Sequence, residues 1–132
     1  LINQLKEIDK KNLKKINKSE KLLQDRETKL ISQKNIISND KLKDEIDQLK
    51  VDIKKYNNDR KTIITNFNNV KLNNTNKLIQ LINPIIKEYA DKNSIDIILQ
   101  KKNIVMGKNE YDITNKIIDI VNVNIMNFKI ND

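Results

Sequence analysis

Apolar residues recur every seventh position through most of this chain, and that repeat limits the fold more than any other feature. Leu42, Leu49, Tyr56, Ile63 and Val70 form one row; Ile46, Ile53, Arg60 and Phe67 form a second, three or four positions away. Alternating steps of three and four over four heptads mark a helix that lies against another helix in coiled-coil fashion. A second repeat fills residues 1–37. Ile2, Asp9, Ile16, Leu23, Leu30 and Ile37 share one heptad position, with Leu1, Ile8, Leu22 and Ile36 among their neighbours. The other seam row there, Leu5, Asn12, Ser19, Arg26 and Gln33, is mostly polar. Such a narrow stripe can rest on one partner helix and cannot sit in the middle of a globule.

The two repeats meet at Ser38-Asn39-Asp40, three residues of the type that caps a helix N-terminus. The stripe changes phase there, which predicts an antiparallel helical hairpin. One unbroken helix in a parallel coiled coil is the competing arrangement. At 1.5 Å per residue the first helix would be about 55 Å long and a second, from 40 to 92, about 80 Å. The longer helix outruns its partner, and there its stripe broadens: Leu78, Ile79, Leu81, Ile82, Ile85, Ile86, Tyr89 and Ala90. A broad stripe must be covered by something else. Asn83-Pro84 within it reads as a cap followed by a first helical residue, so a kink or restart is expected at Asn83.

Past residue 93 the rhythm changes. Ile95, Ile97 and Leu99 alternate with Asp96, Ile98 and Gln100, as in a short strand. Lys101-Lys102-Asn103 reads as a turn and Ile104-Val105-Met106 as a second strand. Gly107, the sole glycine, is expected to supply a positive φ in the next loop. Asp112 is placed to cap a last helix with Ile113, Ile117, Ile120 and Val121 at helical spacing. Val121, Val123 and Ile125 also fit a strand; the helix is preferred, fraying near 126. The resulting division is an arm at 1–77 (helix about 1–37, turn about 38–40, helix from about 40) and a body segment at 78–132. The body segment holds the end of the long helix to about 92, strands at about 95–100 and 103–107, and a helix at about 113–125. A two-stranded hairpin is marginal alone, so residues 95–106 call for a strand from elsewhere.

Composition narrows the function. The net charge is +8 over 132 residues, with 17 Lys/Arg against 11 Asp/Glu in residues 1–61 and 9 against 7 in residues 62–132. A basic surface of this kind attracts acidic polypeptide, an anionic membrane surface or nucleic acid. Specific nucleic-acid binding is not expected: no basic block is longer than Lys14-Lys15 or Lys54-Lys55, and the few aromatics form no stacking platform. Cysteine and histidine are absent, which removes disulfides, thiol and histidine-dependent nucleophilic catalysis, and ordinary zinc sites. One glycine cannot build a phosphate-binding loop. Carboxylate pairs such as Asp44–Glu45 and Asp25–Glu27 lie on lysine-rich helices and read as solvated charge. No enzyme activity and no cofactor or metal is expected. No run approaches the ~18 apolar residues of a membrane span. The chain opens Leu1-Ile2 without methionine, so its first residues carry no information on targeting. Asparagine fills about one position in six, and with lysine and isoleucine this bias suits A/T-rich codons as well as any function.

IDIILQ at 95–100, NIVMG at 103–107, Asp112-Ile113-Thr114 and then Ile117, Ile118 and Val121, all after a long helical hairpin, resemble the Skp (OmpH-like) family of periplasmic chaperones. The likeness covers nearly the whole chain in architecture and residues 95–122 in sequence. It implies a mainly α fold with a small β part: a helical arm, then a short β-hairpin and C-terminal helix that join a trimeric β body. It also implies ATP-independent holding of unfolded outer-membrane proteins in the periplasm. Ile97, Leu99, Ile104, Met106, Asp112, Thr114 and Ile117 would then serve body packing. Leu13, Leu22, Ile36 and Tyr56 would give clients weak apolar contacts on the arm. The family places a strand ahead of the first long helix, which this chain lacks, so Leu1 is expected to be a truncation point; Pro84 is also foreign to the pattern. The alternative from the residues alone is a structural coiled-coil adaptor whose arm binds a partner helix.

Overall fold

The computed structural model describes residues 1–126 and 128–130. Helix α1 spans Ile2–Gln33 and helix α2 spans Asn39–Lys92. The chain divides into two compact units: Ile2–Lys71, and Leu72–Asp132 together with Leu1.

In the first unit, α1 and the start of α2 form an antiparallel hairpin. The reversal occupies residues 34–38. The Ile36 and Ile37 N–H groups donate to the Gln33 carbonyl at 2.9 and 3.2 Å, closing the end of α1. Ser38 then caps α2: its Oγ accepts the Lys41 N–H at 3.4 Å and its carbonyl accepts the Leu42 N–H at 2.9 Å. Asp40 adds a carboxylate in the first turn, where the helix dipole favours negative charge.

The seam follows the heptad rows only in part. Leu42, Leu49, Tyr56, Ile63 and Val70 turn inward, and Leu49 is the most covered apolar side chain, 8 % exposed. The second row on α2 is covered unevenly. Phe67 is half-buried, whereas Ile46 and Ile53 lie at the seam's margin, 37 % and 40 % exposed. Beside them, Arg26 of α1 pairs with both Glu45 and Asp52. On α1, Ile2 and Asp9 lie exposed, and Leu5 and Ile8 take their inward place. Steps of four and four through Ile8, Asn12 and Ile16 replace the three-four alternation. The stripe thereby keeps pace with the 3.6 residues per turn of a straight helix.

The second unit holds the rest of α2, a connecting segment and α3, Thr114–Asn124. The expected restart at Asn83 does not occur; α2 runs through Pro84 to Lys92. Proline there supplies no N–H to the helix ladder, and the helix continues for about two further turns beyond it. Leu78, Ile82, Ile85, Ile86, Tyr89 and Ala90 form the half-buried stripe, with Ile79 and Leu81 exposed at its margin. Ile113, Ile117, Ile120, Val121 and Ile125 form the matching half-buried face of α3 and its flanks. Lys77 Nζ lies 5.9 Å from the centre of the Phe128 ring, tying the residues after α3 to α2.

Helix α2 ends in a Schellman motif. The Ile95 N–H donates to the Ala90 carbonyl at 3.0 Å and the Ser94 N–H to that of Asp91 at 3.5 Å, with Ser94 at φ 52°. The positive φ expected of Gly107 falls on Ser94 instead; Gly107 has none. The expected β-hairpin is absent among the described residues. Residues 95–100 carry no regular structure, Lys101–Asn103 is a 3-10 turn, residues 104–108 are irregular, and a second 3-10 turn spans Asn109–Tyr111. A strand exists only by its ladder bonds, and neither segment finds a partner strand among the described residues. Helix, not strand, holds residues 121–124.

Candidate functional site

Two grooves flank the hairpin seam in the unit Ile2–Lys71, and both take their floor from the same seam residues, Ile16, Tyr56 and Ile63. They exist because α1 places Asn12 and Ser19 where a coiled coil would normally carry a large apolar side chain. The seam is shallow at that level and leaves room on either side.

The first groove, about 520 Å³, adds Leu13, Ile64 and Phe67 to that floor, with Asp9, Glu20 and Arg60 as its charged groups. The second, about 790 Å³, adds Leu22 and Leu23. Its charged groups are Lys15, Lys18, Arg26, Lys55 and Arg60 against Asp52 and Asp59. Arg26 is neutralised by Asp52 and by Glu45, at 3.0 Å for the latter. Lys15, Lys18, Lys55 and Arg60 have no carboxylate partner among the described residues. One seam thus carries a slightly acidic groove on one side and a basic groove on the other.

Among the four arm residues singled out in the sequence, Leu13 opens on the first groove, Leu22 on the second and Tyr56 on both. Ile36 stands apart, 80 % exposed in the turn. Leu13 and Leu22 are also exposed, so each offers apolar surface without unfolding of the hairpin. Ile64 and the Lys18–Lys55 rim escaped the sequence reading. Their signal is legible in hindsight: Ile64 adjoins a seam position, and these lysines lie one position outside the heptad rows.

In the other unit, Ile97, Leu99, Ile104 and Met106 project outward, Met106 at 92 % exposure. Val105, read as part of the second strand but not singled out for packing, is fully exposed beside it. Ile117 lies on the half-buried face of α3. Asp112 and Thr114 organise the entry to that helix. Asp112 Oδ1 accepts the Thr114 N–H at 3.1 Å, and Oδ2 pairs with Lys101 Nζ at 2.6 Å. The hydrogen bond from Lys101, followed by those from Thr114, holds the Asp112 carboxyl well below the usual carboxylate range. The cap position itself falls one residue later, at Ile113.

Among the described residues no three carboxylates gather as a metal site, and no helix is long and apolar enough to cross a membrane. The unit Ile2–Lys71 thus carries open amphipathic grooves, and the other unit carries an irregular segment of exposed aliphatic residues. The chain belongs to the family described as Outer membrane protein (OmpH-like), which matches residues 1–121. At the level of the family this means periplasmic chaperones of outer membrane proteins. No curated protein and no solved structure matches the chain.

Proposed function

We propose that this chain is an ATP-independent holdase that binds unfolded outer-membrane proteins in the periplasm and keeps them from aggregating. The observation that carries the reading is the pair of open grooves, where Leu13, Leu22 and Tyr56 offer apolar contacts on a highly charged, soluble arm. Contacts of this kind are individually weak and non-directional. They suit a chain with no fixed structure, and release needs no energy input. Family membership over residues 1–121 supports the same reading.

The working form we propose is a homotrimer. Ile97, Leu99, Ile104 and Met106 would enter a β body shared between copies, with Asp112, Thr114 and Ile117 setting the helix that follows. Exposed aliphatic residues on irregular backbone without ladder bonds support this, since unpaired N–H and C=O groups are a template for pairing with another chain. With no third strand from the described residues, association should be weak and concentration-dependent. The basic excess would also bring the arm near anionic membrane surfaces. Nucleic acid is not a specific partner in this reading, and neither cofactor nor catalysis is involved.

Sedimentation equilibrium with Ile97→Asp/Met106→Asp tests the assembly: the parent should associate and the variant stay monomeric. Equal behaviour of the two would remove residues 95–106 from the interface. A coiled-coil adaptor would instead form a dimer and leave the aggregation of unfolded barrels unchanged.

A further inference from the structure

We infer that the groove beside Leu22, and not the one beside Leu13, is a discrete site within a single arm for acidic, apolar stretches of unfolded polypeptide. The inference rests on the holdase reading and adds a location, a charge preference and a stoichiometry of one stretch per chain.

Charge complementarity singles out this groove. Both grooves share Ile16, Tyr56 and Ile63, so their apolar floors differ little. Their rims differ in sign. Lys15, Lys18, Arg26 and Lys55 line only the Leu22 side, with Asp52, which Arg26 holds, and Asp59 as its carboxylates; Asp9 and Glu20 line only the Leu13 side, and Arg60 lines both, so the Leu22 rim keeps a basic excess. The three lysines are exposed and unpaired, so a ligand carboxylate meets them without displacing an existing partner. A chain that lays a leucine beside Leu22 and Leu23 brings its neighbouring side chains to the lysine rim. Alternating apolar and acidic residues satisfy both contacts, because successive side chains of an extended segment point in opposite directions. On the other side the same segment would meet Asp9 and Glu20 and be repelled.

The test is a fluorescence-anisotropy titration of the full chain with two short labelled peptides. One is built of leucine, serine and glutamate; the other has lysine in place of every glutamate. The acidic peptide should bind on the order of tenfold more tightly, one per chain, and the gap should shrink with added salt. Lys18→Glu/Lys55→Glu should erase the preference. Lys34→Glu/Lys41→Glu makes the same change in net charge away from both grooves and should leave most of it. Leu22→Gln should weaken binding of the acidic peptide several-fold more than Leu13→Gln, with helicity by circular dichroism unchanged in both.

Equal losses from the two lysine pairs would overturn the site in favour of diffuse attraction, and equal losses from Leu13→Gln and Leu22→Gln would overturn the choice of groove. Failure of the acidic peptide to bind would overturn it outright. Holdase activity is scored separately on a full-length client. A chain that prevents aggregation but fails the peptide test loses this site and keeps the proposed function; one that binds the peptide yet protects no client does the reverse.

Discussion

Arg26 Nη2 and Glu45 Oε2 lie 3.0 Å apart across the hairpin seam, 19 residues apart in sequence, while the other guanidinium nitrogen holds Asp52. Glu45 and Asp52 are one heptad apart, with the buried Leu49 between them. The guanidinium therefore spans about two turns of α2 and favours one register, a role for which its planar fork suits arginine better than lysine. Arg26→Met should keep the hairpin folded but lower Tm by a few degrees. A double-mutant cycle with Asp52→Asn should reveal coupling between the two positions. Additive losses would mean that the pair does not set the register.

Leu49 and Ile36 are both large aliphatic residues of the hairpin, yet their exposures are 8 % and 80 %. Leu49→Ala should cost about 2 kcal/mol, the low end for a core leucine because only two helices surround it. Ile36→Ala should fall within about 0.5 kcal/mol of the parent. Urea unfolding at equal protein concentration measures both.

Ser94 occupies the left-handed position that ends α2, where glycine is the usual residue. Ser94→Gly relieves about 1 kcal/mol of backbone strain and returns part of it through a freer unfolded chain. A net gain of about 0.5 kcal/mol is expected. Gly107→Ala should be tolerated, since a methyl group there would meet only Ile104 Cγ2 at 3.6 Å and the backbone needs no positive φ. Thermal melts of the two variants give the comparison.

Lys101 and Thr114 lower the Asp112 pKa, and Lys50 and Lys92 do the same for Asp47 and Glu88. A carboxyl depressed in the folded state stabilises fully above its unfolded pKa, about 4, and the contribution is lost as pH falls through the folded value. Stability should therefore be nearly flat from pH 7 to about pH 5 on their account and decline in stronger acid. Asp112→Ala should speed exchange of the Thr114 amide proton. Asp112→Asn, which keeps an acceptor oxygen, should do so less. Identical exchange in the two variants would show that the Thr114 bond does not anchor α3.

The helices were legible because their signal is local. A heptad stripe, a serine cap and an absence of glycine each act over one or two turns, and together they predicted two long antiparallel helices. The seam was only half legible. Ile46 and Ile53 fit the inward row by spacing but lie at the seam's margin, where Arg26 of the other helix pairs with Glu45 and Asp52. That arrangement depends on which residue stands opposite, which one sequence row cannot reveal. The segment around Ile97 and Met106 has the alternation of strands, yet a strand also needs a partner, and its residues remain irregular here. Ser94 was missed because a helix end takes the left-handed conformation wherever its geometry requires, even without glycine. Leu13, Leu22 and Tyr56 were recognised as apolar residues on a charged arm. The opposite signs of the two grooves emerge only when the helices are set side by side.

The most direct measurement is light scattering after an unfolded outer-membrane β-barrel protein is diluted from urea into buffer without ATP, with and without the chain. The account predicts that the chain suppresses scattering in proportion to its concentration, less so at high salt, and that Leu13→Gln/Leu22→Gln largely abolishes protection while leaving the helices intact. Scattering unchanged by any concentration of the folded parent chain would contradict it.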